Sequence, residues 1–381
     1  MKKKIIIHFF TGKRGGFSHF IPILRLLDQN KRFDYKILAG DMHLSNFFGK
    51  TINEIKNYSS KIIRLKKNIL KDTISNRLSV VSNTINSLSK IFSRLKPDFL
   101  FVLGDRAEVL GASIAGMHFN IPLIHMYGGD ITQGGTDEPS RHAITKLSNL
   151  HLTSNNESYK NVKKMGEENW RVFNTGLTSL DLFKKKFFKS KNYLEKKYNI
   201  NLNKPLIILI QHPVTWQIKD SKKQILETMK SIKSLKIQTI AIYPCSDPGF
   251  KNIVEIYKRF KNEKYFHCYK NIEINDFYSL LKFSKMLIGN SSCGMTECGY
   301  LMKPVINIGI RQEGRICGKN VIHVDHNNQQ ITNTIKKILK SKNSKQKNYI
   351  YGNGSSAQKI IKIILKNYQK ENIIKKKFIA N

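Results

Sequence analysis

Short apolar runs alternate with longer amphipathic stretches along almost the whole chain, and this alternation is the strongest constraint on its fold. Apolar runs of strand length lie at 4–10, 35–39, 99–103, 123–126 and 150–153. A second series lies at 206–210, 239–243, 265–269, 286–288 and 305–308. Strands separated by helices are typical of parallel α/β sheets. The pattern therefore predicts two Rossmann-like α/β domains that face each other across a cleft.

A basic, weakly apolar stretch at 174–203 separates the two series of strands. We place the domain crossing there, with an N-terminal domain at 1–178 and a nucleotide-binding C-terminal domain at 179–354. We expect the last helix, predicted at 356–368, to rejoin the first domain together with the rest of 355–381. A chain of 381 residues is long enough for two full hydrophobic cores.

The charge of the chain is strongly positive, at +39 from 66 Lys and Arg against 27 Asp and Glu. The basic residues are spread along the sequence, with no groove-reading motif, so nucleic acid is not the expected partner. A polyanionic substrate needs only a few fixed cations. The run Lys375-Lys376-Lys377 is typical of a frayed chain end.

The location of the protein is predicted from its cysteines and its apolar runs. Five cysteines, without CxxC spacing, favour a reducing compartment and disfavour zinc. No apolar run approaches the roughly 20 residues of a membrane helix, and the first residues indicate a buried strand rather than a signal peptide. We therefore expect a cytoplasmic protein without a membrane span.

The segment from Ile288 to Glu297 has the order strand, small-residue turn, helix. Ser291 and Ser292 in the turn suit a phosphate group, and a carboxylate at Glu297 could accept two vicinal ribose hydroxyls. An ordinary polar helix cap would give the same serines. Arg311 adds a fixed cation after the next strand, so nucleotide diphosphate binding is the stronger interpretation.

Four candidate acid/base groups follow predicted strands or open the next helix, which are Asp105, Asp130, Asp137 and His212. Each also has a structural interpretation, as an ion pair, a helix cap or a turn residue. Because ligands of open α/β sheets bind beyond the carboxyl ends of the strands, four such groups predict a shared site.

The order of these blocks resembles the hydrolysing UDP-N-acetylglucosamine 2-epimerases. That family includes the bacterial enzymes that start sialic acid synthesis and the epimerase half of the animal bifunctional epimerase/kinase. The resemblance rests on the blocks Thr11-Gly12-Lys13-Arg14, Gly40-Asp41-Met42-His43-Leu44, Gly104-Asp105-Arg106, Gly128-Gly129-Asp130, Ser140-Arg141-His142-Ala143-Ile144-Thr145-Lys146, His212-Pro213-Val214-Thr215, Tyr243-Pro244 with Asp247, Gly289-Asn290-Ser291-Ser292-Cys293-Gly294 and Arg311-Gln312.

The resemblance implies a glycosyltransferase-B-like fold that transfers no sugar. A base removes the C2 proton, UDP leaves from C1, and the glycal gains water to give free N-acetylmannosamine, without metal or other cofactor. Asp105, Asp130, Asp137 and His212 would be catalytic. The substrate would be bound by Arg14, His43, Arg106, Arg141, His142, Asp247, Asn290, Ser291, Ser292, Gly294, Glu297 and Arg311. We also expect a homo-oligomer, a dimer or tetramer.

Three departures from the family pattern predict a modified sugar pocket. Asp130 stands where the family usually has Glu, Arg14-Gly15-Gly16 replaces Arg-Ala-Asp, and Asp137-Glu138-Pro139 opens the block that usually reads Asp-Asp-Ser. A UDP-2,4-diacetamido-trideoxy sugar, used for legionaminic acid, is therefore an alternative substrate. A glycosyltransferase of the same fold and a non-catalytic nucleotide-sugar-binding protein are the alternative functions.

Overall fold

The computed structural model describes residues 3–133, 135–184, 187–341 and 347–380. Two compact units make up the chain. Unit 1 comprises Met1–Asp130, Asp137–Lys185 and Tyr351–Asn381, and unit 2 comprises Ile131–Thr136 and Lys186–Ile350. The sequence placed the end of the first domain at residue 178, whereas unit 1 continues through the 3-10 helix Thr178–Lys184 to residue 185.

Unit 1 contains a seven-stranded parallel sheet. Its described strands are β1 (Ile5–Thr11), β2 (Phe33–Ala39), β3 (Ile62–Arg64), β4 (Phe99–Leu103), β5 (Leu123–Met126), β6 (Leu150–Thr153) and β7 (Val172–Asn174). Its helices before the crossing are α1 (Arg14–Phe17), α2 (Ile21–Asp28), α3 (Ile52–Lys56), α4 (Ile74–Phe92), α5 (Ala107–His118), α6 (Asp137–Leu147) and α7 (Asn156–Lys164). Short 3-10 turns lie at Asp41–Leu44 and Asn169–Arg171.

Unit 2 contains a six-stranded parallel sheet. Its described strands are β8 (Ile207–Ile210), β9 (Thr239–Ile242), β10 (Phe266–Tyr269), β11 (Met286–Gly289), β12 (Val305–Ile308) and β13 (Val321–Val324). Its helices are α8 (Lys191–Tyr198), α9 (Ser221–Leu235), α10 (Phe250–Arg259), α11 (Ile274–Phe283), α12 (Ser292–Met295), α13 (Glu297–Tyr300) and α14 (Asn328–Lys340). Short 3-10 turns lie at Ile218–Asp220 and Ile310–Gln312, and α15 (Ser356–Asn367) belongs to unit 1.

The strand order of each sheet reverses at one point, and the candidate site residues follow the strands around it. Unit 1 has the order β3-β2-β1-β4-β5-β6-β7, so the reversal lies between β1 and β4. Unit 2 has the order β10-β9-β8-β11-β12-β13, with the reversal between β8 and β11. In doubly wound sheets ligands bind beyond the carboxyl ends of strands at such a point. The fold thus places one candidate surface on each unit.

Burial explains why the central strands are continuous apolar runs. In unit 1, α4 and α5 pack on one face of the sheet through a cluster that includes Leu88, Phe92, Val109 and Leu100. In unit 2, Gly289 at the end of β11 has φ +118°, and a Cβ there would lie 2.0 Å from the carbonyl oxygen of Ile210. Only glycine lets β11 approach β8 so closely at the reversal point. None of the described helices is long and apolar enough to cross a membrane.

Candidate active site

The reversal point of unit 2 is built by mutual hydrogen bonds between His212 and Asn290. The backbone N–H of His212 donates to Asn290 Oδ1 at 2.7 Å, and Asn290 Nδ2 donates to the carbonyl of His212 at 2.9 Å. Asn290 is fully buried. It therefore joins the ends of β8 and β11, and we propose a positioning role for it rather than direct contact with substrate.

The imidazole of His212 has a defined tautomer. The backbone N–H of Cys245, which follows β9, donates to His212 Nδ1 at 3.0 Å. A ring nitrogen that accepts a hydrogen bond carries no proton, so in the neutral ring Nε2 carries it. His212 thus offers Nε2–H as a donor, which suits contact with a phosphate oxygen better than proton abstraction.

Arg311 lies on the same surface, at the start of the turn that follows β12. Its Nη1 donates to the carbonyl of Asn290 at 3.2 Å, and its Nη2 lies 4.0 Å from Asp247 Oδ2. The neighbouring Gln312 also donates to the Asn290 carbonyl, at 3.1 Å. These contacts fix the guanidinium beside the end of β11. About 17% of the Arg311 side chain stays exposed, so it can still receive an anion.

Where the sequence predicted one helix after the small-residue turn, the structure has two four-residue helices, α12 and α13, with Thr296 between them. The hydroxyl of Thr296 bonds to the carbonyl of Ser292, which competes with regular helix geometry. The predicted helix-dipole contribution to phosphate binding is therefore small. Phosphate binding would rest on the half-buried Ser291 and Ser292 and on Arg311, while Gly294 packs against Val305.

Glu297, the predicted ribose ligand, is buried with its carboxylate held by hydroxyl groups. The hydroxyl of Tyr278 donates to Oε1 at 3.2 Å, and the hydroxyl of Thr296 donates to Oε2. Sequence patterns gave no indication of Tyr278, because it lies on α11, a separate helix, and reaches Glu297 only in the folded unit.

In unit 1, Arg141 connects two of the predicted catalytic positions. Its Nε donates to Asp105 Oδ2 at 3.1 Å, its Nη2 contacts the same oxygen, and its Nη1 donates to the carbonyl of Asp130 at 2.6 Å. Arg141 itself is fully buried on α6. The predicted substrate ligand Arg141 is therefore placed as the group that orients Asp105, whose side chain keeps about 14% exposure.

The carboxylate of Asp130 is engaged by the start of α7. Its Oδ1 accepts hydrogen bonds from Ser154 at 3.1 Å, from Asn155 at 3.4 Å and from the hydroxyl of Ser158. Asp130 is only 4% exposed. In the preceding residue, Gly129, φ is +82° and a Cβ would lie 2.2 Å from the Ser158 carbonyl. The short Asp130 side chain therefore fits a tight contact between the β5 loop and α7.

Asp137 and His142 lie on α6. Asp137 is the first residue of the helix, and it is half-buried. Pro139 lies in the first turn, where its missing N–H removes no helical hydrogen bond. Nε2 of His142 lies 3.5 Å from Glu138 Oε1, and 36% of the His142 side chain is exposed. Asp137 and His142 thus remain accessible from solvent.

Two buried and two half-buried charged side chains form a cluster beside the ends of β2 and β4 that the sequence did not reveal. Arg106 Nε donates to Glu108 Oε1 at 2.7 Å, and Arg77 Nη2 donates to Glu108 Oε2 at 3.4 Å. Both arginines also lie within 4 Å of Asp41. Burial and the Glu108 charge raise the pKa of Asp41 to about 6. Burial by itself would raise the pKa of Glu108. The positive charges of Arg106 and Arg77 outweigh the effect of burial, so the pKa of Glu108 is lowered.

This cluster changes the interpretation of Arg106 and His43, both predicted as substrate ligands. Arg106 is buried against its two carboxylate partners. His43 is also buried, and its nitrogens contact the hydroxyls of Thr11 and Thr51, each at 2.8 Å. Burial lowers the pKa of His43 to about 3, so the ring is neutral. We propose that both side chains position the loops, whereas Arg14, half-buried at the start of α1, is better placed for a ligand.

The comparisons with known proteins identify the family of the chain. The model of the family described as UDP-N-acetylglucosamine 2-epimerase matches residues 25–365. The chain belongs to this family. A GDP/UDP-N,N'-diacetylbacillosamine 2-epimerase (hydrolyzing) of Campylobacter jejuni is 34% identical over 93% of either chain. Polysialic acid biosynthesis protein P7 of Escherichia coli is 35% identical, over 84% of this chain and 82% of its own.

A solved structure supports the fold of this epimerase family member. UDP-GlcNAc 2-epimerase from Neisseria meningitidis, crystallised with UDP-GlcNAc, superposes with a TM-score of 0.77 at 20% identity. The match covers 95% of this chain and 100% of that one. The predicted two-domain α/β fold of the glycosyltransferase-B type is thereby confirmed. Family membership and the homologues support UDP-sugar 2-epimerase activity.

Proposed function

We propose that this chain is a hydrolysing 2-epimerase of a UDP-linked 2-acetamido sugar. The observation that carries the proposal is the fixed carboxylate of Asp105, held by Arg141 at the end of β4 and partly open to solvent. Elimination of a nucleotide from a sugar needs a base near C2 and electrostatic support for the departing diphosphate. Asp105 can supply the first, and the cationic surface of unit 2 can supply the second.

The chemistry has two stages. In the first, a carboxylate accepts the C2 proton, the C1–O bond to UDP breaks, and the electron pair of the C2–H bond forms the C1–C2 double bond of a glycal. In the second, water adds at C1 and a proton returns to C2 on the opposite face. The products are UDP and the free 2-epimer, and neither stage changes an oxidation level overall.

Asp105 and Asp130 are proposed to have different roles. Asp105 Oδ2 is oriented by a guanidinium while part of the side chain is exposed, so the carboxylate can meet substrate. Asp130 Oδ1 is occupied by donors from α7, so its main role is to hold the β5 loop. Asp137 is an accessible candidate for the second proton transfer.

Unit 2 is proposed to bind the nucleotide. His212, through Nε2–H, Arg311 and the pair Ser291 and Ser292 would contact the diphosphate, and Glu297 would receive the ribose hydroxyls. A neutral donor and a guanidinium stabilise the charge that grows on the departing UDP. His212 would then be an electrostatic group and not the base that the sequence also allowed.

The sugar has two candidates, N-acetylglucosamine and a 2,4-diacetamido-trideoxy sugar. Gly16 of α1 stands where the family usually has an aspartate, and a Cβ built on it would lie 3.4 Å from Lys13 and 3.8 Å from Leu103. Glycine at this position therefore removes a carboxylate side chain from the start of α1. Together with the Campylobacter relative, this favours the larger diacetamido sugar.

The test is incubation of the protein with each UDP-sugar in deuterated water, followed by NMR. We expect UDP and a free 2-epimer that carries deuterium at C2, formed faster from the diacetamido substrate. A 2-epimer that is still linked to UDP would indicate a non-hydrolysing epimerase. A glycosyltransferase would leave C2 unlabelled, and a non-catalytic binding protein would bind UDP without turnover.

A further inference from the structure

The carboxylate of Glu297 is oriented by a hydroxyl from a different helix. We propose that Tyr278 is a positioning residue that fixes Glu297 for the two vicinal hydroxyls of ribose, and that this contact sets a preference for ribonucleotides over 2′-deoxyribonucleotides. The inference rests on the proposed binding of the nucleotide to unit 2, and it adds the residue that determines which pentose is accepted.

The carboxylate of Glu297 accepts hydrogen bonds from two hydroxyls of unit 2. Tyr278 donates to Oε1 at 3.2 Å, and Thr296 donates to Oε2. The single hydroxyl proton of Thr296 is shared with the carbonyl of Ser292, 2.9 Å away, so Tyr278 is the more specific anchor. An ionised carboxylate has about four acceptor sites, so a carboxylate of this kind can bind hydroxyls of the protein and of a ligand together.

Tyr278 is rigid enough to orient its partner. It is buried on α11, with its ring 6.3 Å from that of Phe187 and 5.3 Å from that of Phe277. A phenol hydroxyl on a packed ring has a fixed position apart from rotation of its proton. The carboxylate of Glu297, which would otherwise rotate about its last torsion, is therefore held in one orientation.

Glu297 also lies next to the loop proposed to bind phosphate. Glu297 is the first residue of α13, four residues after Cys293. Burial and then the Glu297 charge raise the pKa of Cys293 to about 12. The sulfur of Cys293 lies 3.2 Å from the Ser291 hydroxyl. A carboxylate about one helical turn beyond a phosphate-binding loop could receive the ribose of the nucleotide whose phosphate the loop holds.

A fixed carboxylate discriminates between pentoses because one missing hydroxyl leaves a buried acceptor unpaired. Sites built to bind a substrate hydroxyl reject the analogue without it, owing to this unpaired group. If Tyr278 no longer holds Glu297, the carboxylate can turn to another partner when the 2′-hydroxyl is absent. A variant without the Tyr278 hydroxyl should therefore lose most of its preference for UDP over 2′-deoxy-UDP. Its affinity for the base and the diphosphate, which both nucleotides share, should change less.

The experiment is calorimetric titration of the full-length protein with UDP and with 2′-deoxy-UDP, for wild type, Tyr278→Phe and Tyr269→Phe. Wild type should prefer UDP at least about tenfold, and Tyr278→Phe should lower that ratio by roughly threefold to tenfold, the worth of one hydrogen bond. Tyr269→Phe is the matched control. Tyr269 lies on β10, at the edge of the sheet, and its hydroxyl donates to the carbonyl of Tyr198. Removal of this hydroxyl should leave the ratio of UDP affinity to 2′-deoxy-UDP affinity unchanged.

Each outcome separates this inference from the function on which it rests. If wild type does not bind UDP, the proposed nucleotide site is wrong and the inference falls with it. If UDP binds but wild type shows no pentose preference, or Tyr278→Phe weakens both nucleotides equally, only the inference is overturned. Thr296→Val is a second variant in case Tyr278→Phe does not fold. It should also lower the ratio of UDP affinity to 2′-deoxy-UDP affinity.

Discussion

Asp105 is the single residue on which the proposed chemistry depends most. Asp105→Asn keeps the shape of the side chain and a hydrogen-bond acceptor for Arg141, but removes the negative charge that accepts the C2 proton. We expect turnover to fall at least about 100-fold, the low end for a general acid/base group. UDP affinity, measured by calorimetry, should not change. The control is Asp34→Asn on β2, where Asp34 forms an exposed ion pair with Lys61. If Asp105→Asn retains wild-type turnover, Asp105 is not part of the mechanism.

The tautomer of His212 leads to a prediction about which replacement preserves activity. If Nε2–H donates to the departing diphosphate, a glutamine amide placed at about the same distance can replace it. We expect His212→Gln to retain at least about tenfold more turnover than His212→Ala, a difference on the order of one charged hydrogen bond. The measurement is steady-state kinetics of UDP release. Equal, near-complete inactivity of both variants would favour a proton-transfer role instead.

Asp41 makes stability depend on pH. Its pKa is raised from 3.8 to about 6 by burial and by Glu108, so between these values the folded state binds more protons than the unfolded state. Stability from this group is complete below about pH 4 and is lost as pH rises through about 6. We expect the difference in unfolding free energy between wild type and Asp41→Asn to decline over that range.

Urea unfolding at a series of pH values measures this difference, with Asp34→Asn as a control of opposite sign. The hydrogen bond with Lys61 lowers the pKa of Asp34. The contribution of Asp34 to stability is therefore present above about pH 4 and is lost only below that pH. The Asp34 difference should therefore be constant from pH 5 to 7. A constant Asp41 difference over the same range would mean that Asp41 is not protonated more readily in the folded state.

At the scale of elements, the contact between the β5 loop and α7 determines whether position 130 tolerates a longer side chain. Asp130 lies against donors from Ser154, Asn155 and Ser158. Asp130→Glu restores the residue usual in the family but adds a methylene to a closed contact. We expect it to lower stability by about 1–3 kcal/mol, as overpacking does, and to lower turnover on the natural substrate.

Thermal unfolding and steady-state kinetics on both UDP-sugars measure these effects. Glu157→Gln, an exposed change in the first turn of α7 that affects only the pair with Lys160, should leave stability and turnover as in wild type. If Asp130→Glu turns over UDP-N-acetylglucosamine faster than wild type does and loses no stability, the aspartate at position 130 is not an adaptation to a different sugar.

The sequence predicted the buried elements well, and the reason is physical. Central strands are covered on both faces, so they appear as continuous apolar runs. Three described strands that the sequence missed, β3, β7 and β13, each lie at the edge of a sheet. They are only three or four residues long and are partly exposed, so no apolar run marks them.

The site was predictable only in part. Residues that directly follow central strands, such as Asp105 and His212, could be found because the ends of parallel strands meet at one edge of a sheet. Partners from distant helices could not. The contact between Arg77 and Asp41, or between Tyr278 and Glu297, depends on how helices pack on the sheet. Nothing in the local pattern records that packing.

At the scale of the whole molecule, the C-terminal segment completes unit 1, although the Lys375–Lys377 run suggested a frayed end. The ammonium of Lys376 lies 2.8 Å from a carboxylate oxygen of Glu167 and donates hydrogen bonds to the carbonyls of Lys146 and Ser148 at the end of α6. Its pKa is lowered by burial. The interpretation of a frayed end is thus wrong for Lys376, which binds the tail to the helix that carries Arg141.

Arg171 is the main anchor of this segment, and its removal is the sharpest test of the role of the tail. Its guanidinium is fully buried and donates to the carbonyls of Asn372, Ile373 and Lys375 at 2.7 to 2.9 Å. Arg171→Met keeps much of the volume but removes the guanidinium donor from these carbonyls, of which only that of Ile373 keeps a described side-chain donor, Asn149 Nδ2 at 3.1 Å. We expect a loss of about 2–4 kcal/mol in unfolding free energy, as for buried polar groups that lose their partners.

Limited proteolysis and thermal unfolding of the intact chain measure the effect of Arg171→Met. The C-terminal segment should be cleaved well before unit 2, and UDP affinity of the remaining folded protein should be retained, because the proposed nucleotide contacts lie in unit 2. Arg259→Met is the control, since its exposed pair with Glu255 should contribute less than about 1 kcal/mol. If Arg171→Met is as stable and as protease-resistant as this control, Arg171 is not the main anchor of the C-terminal segment.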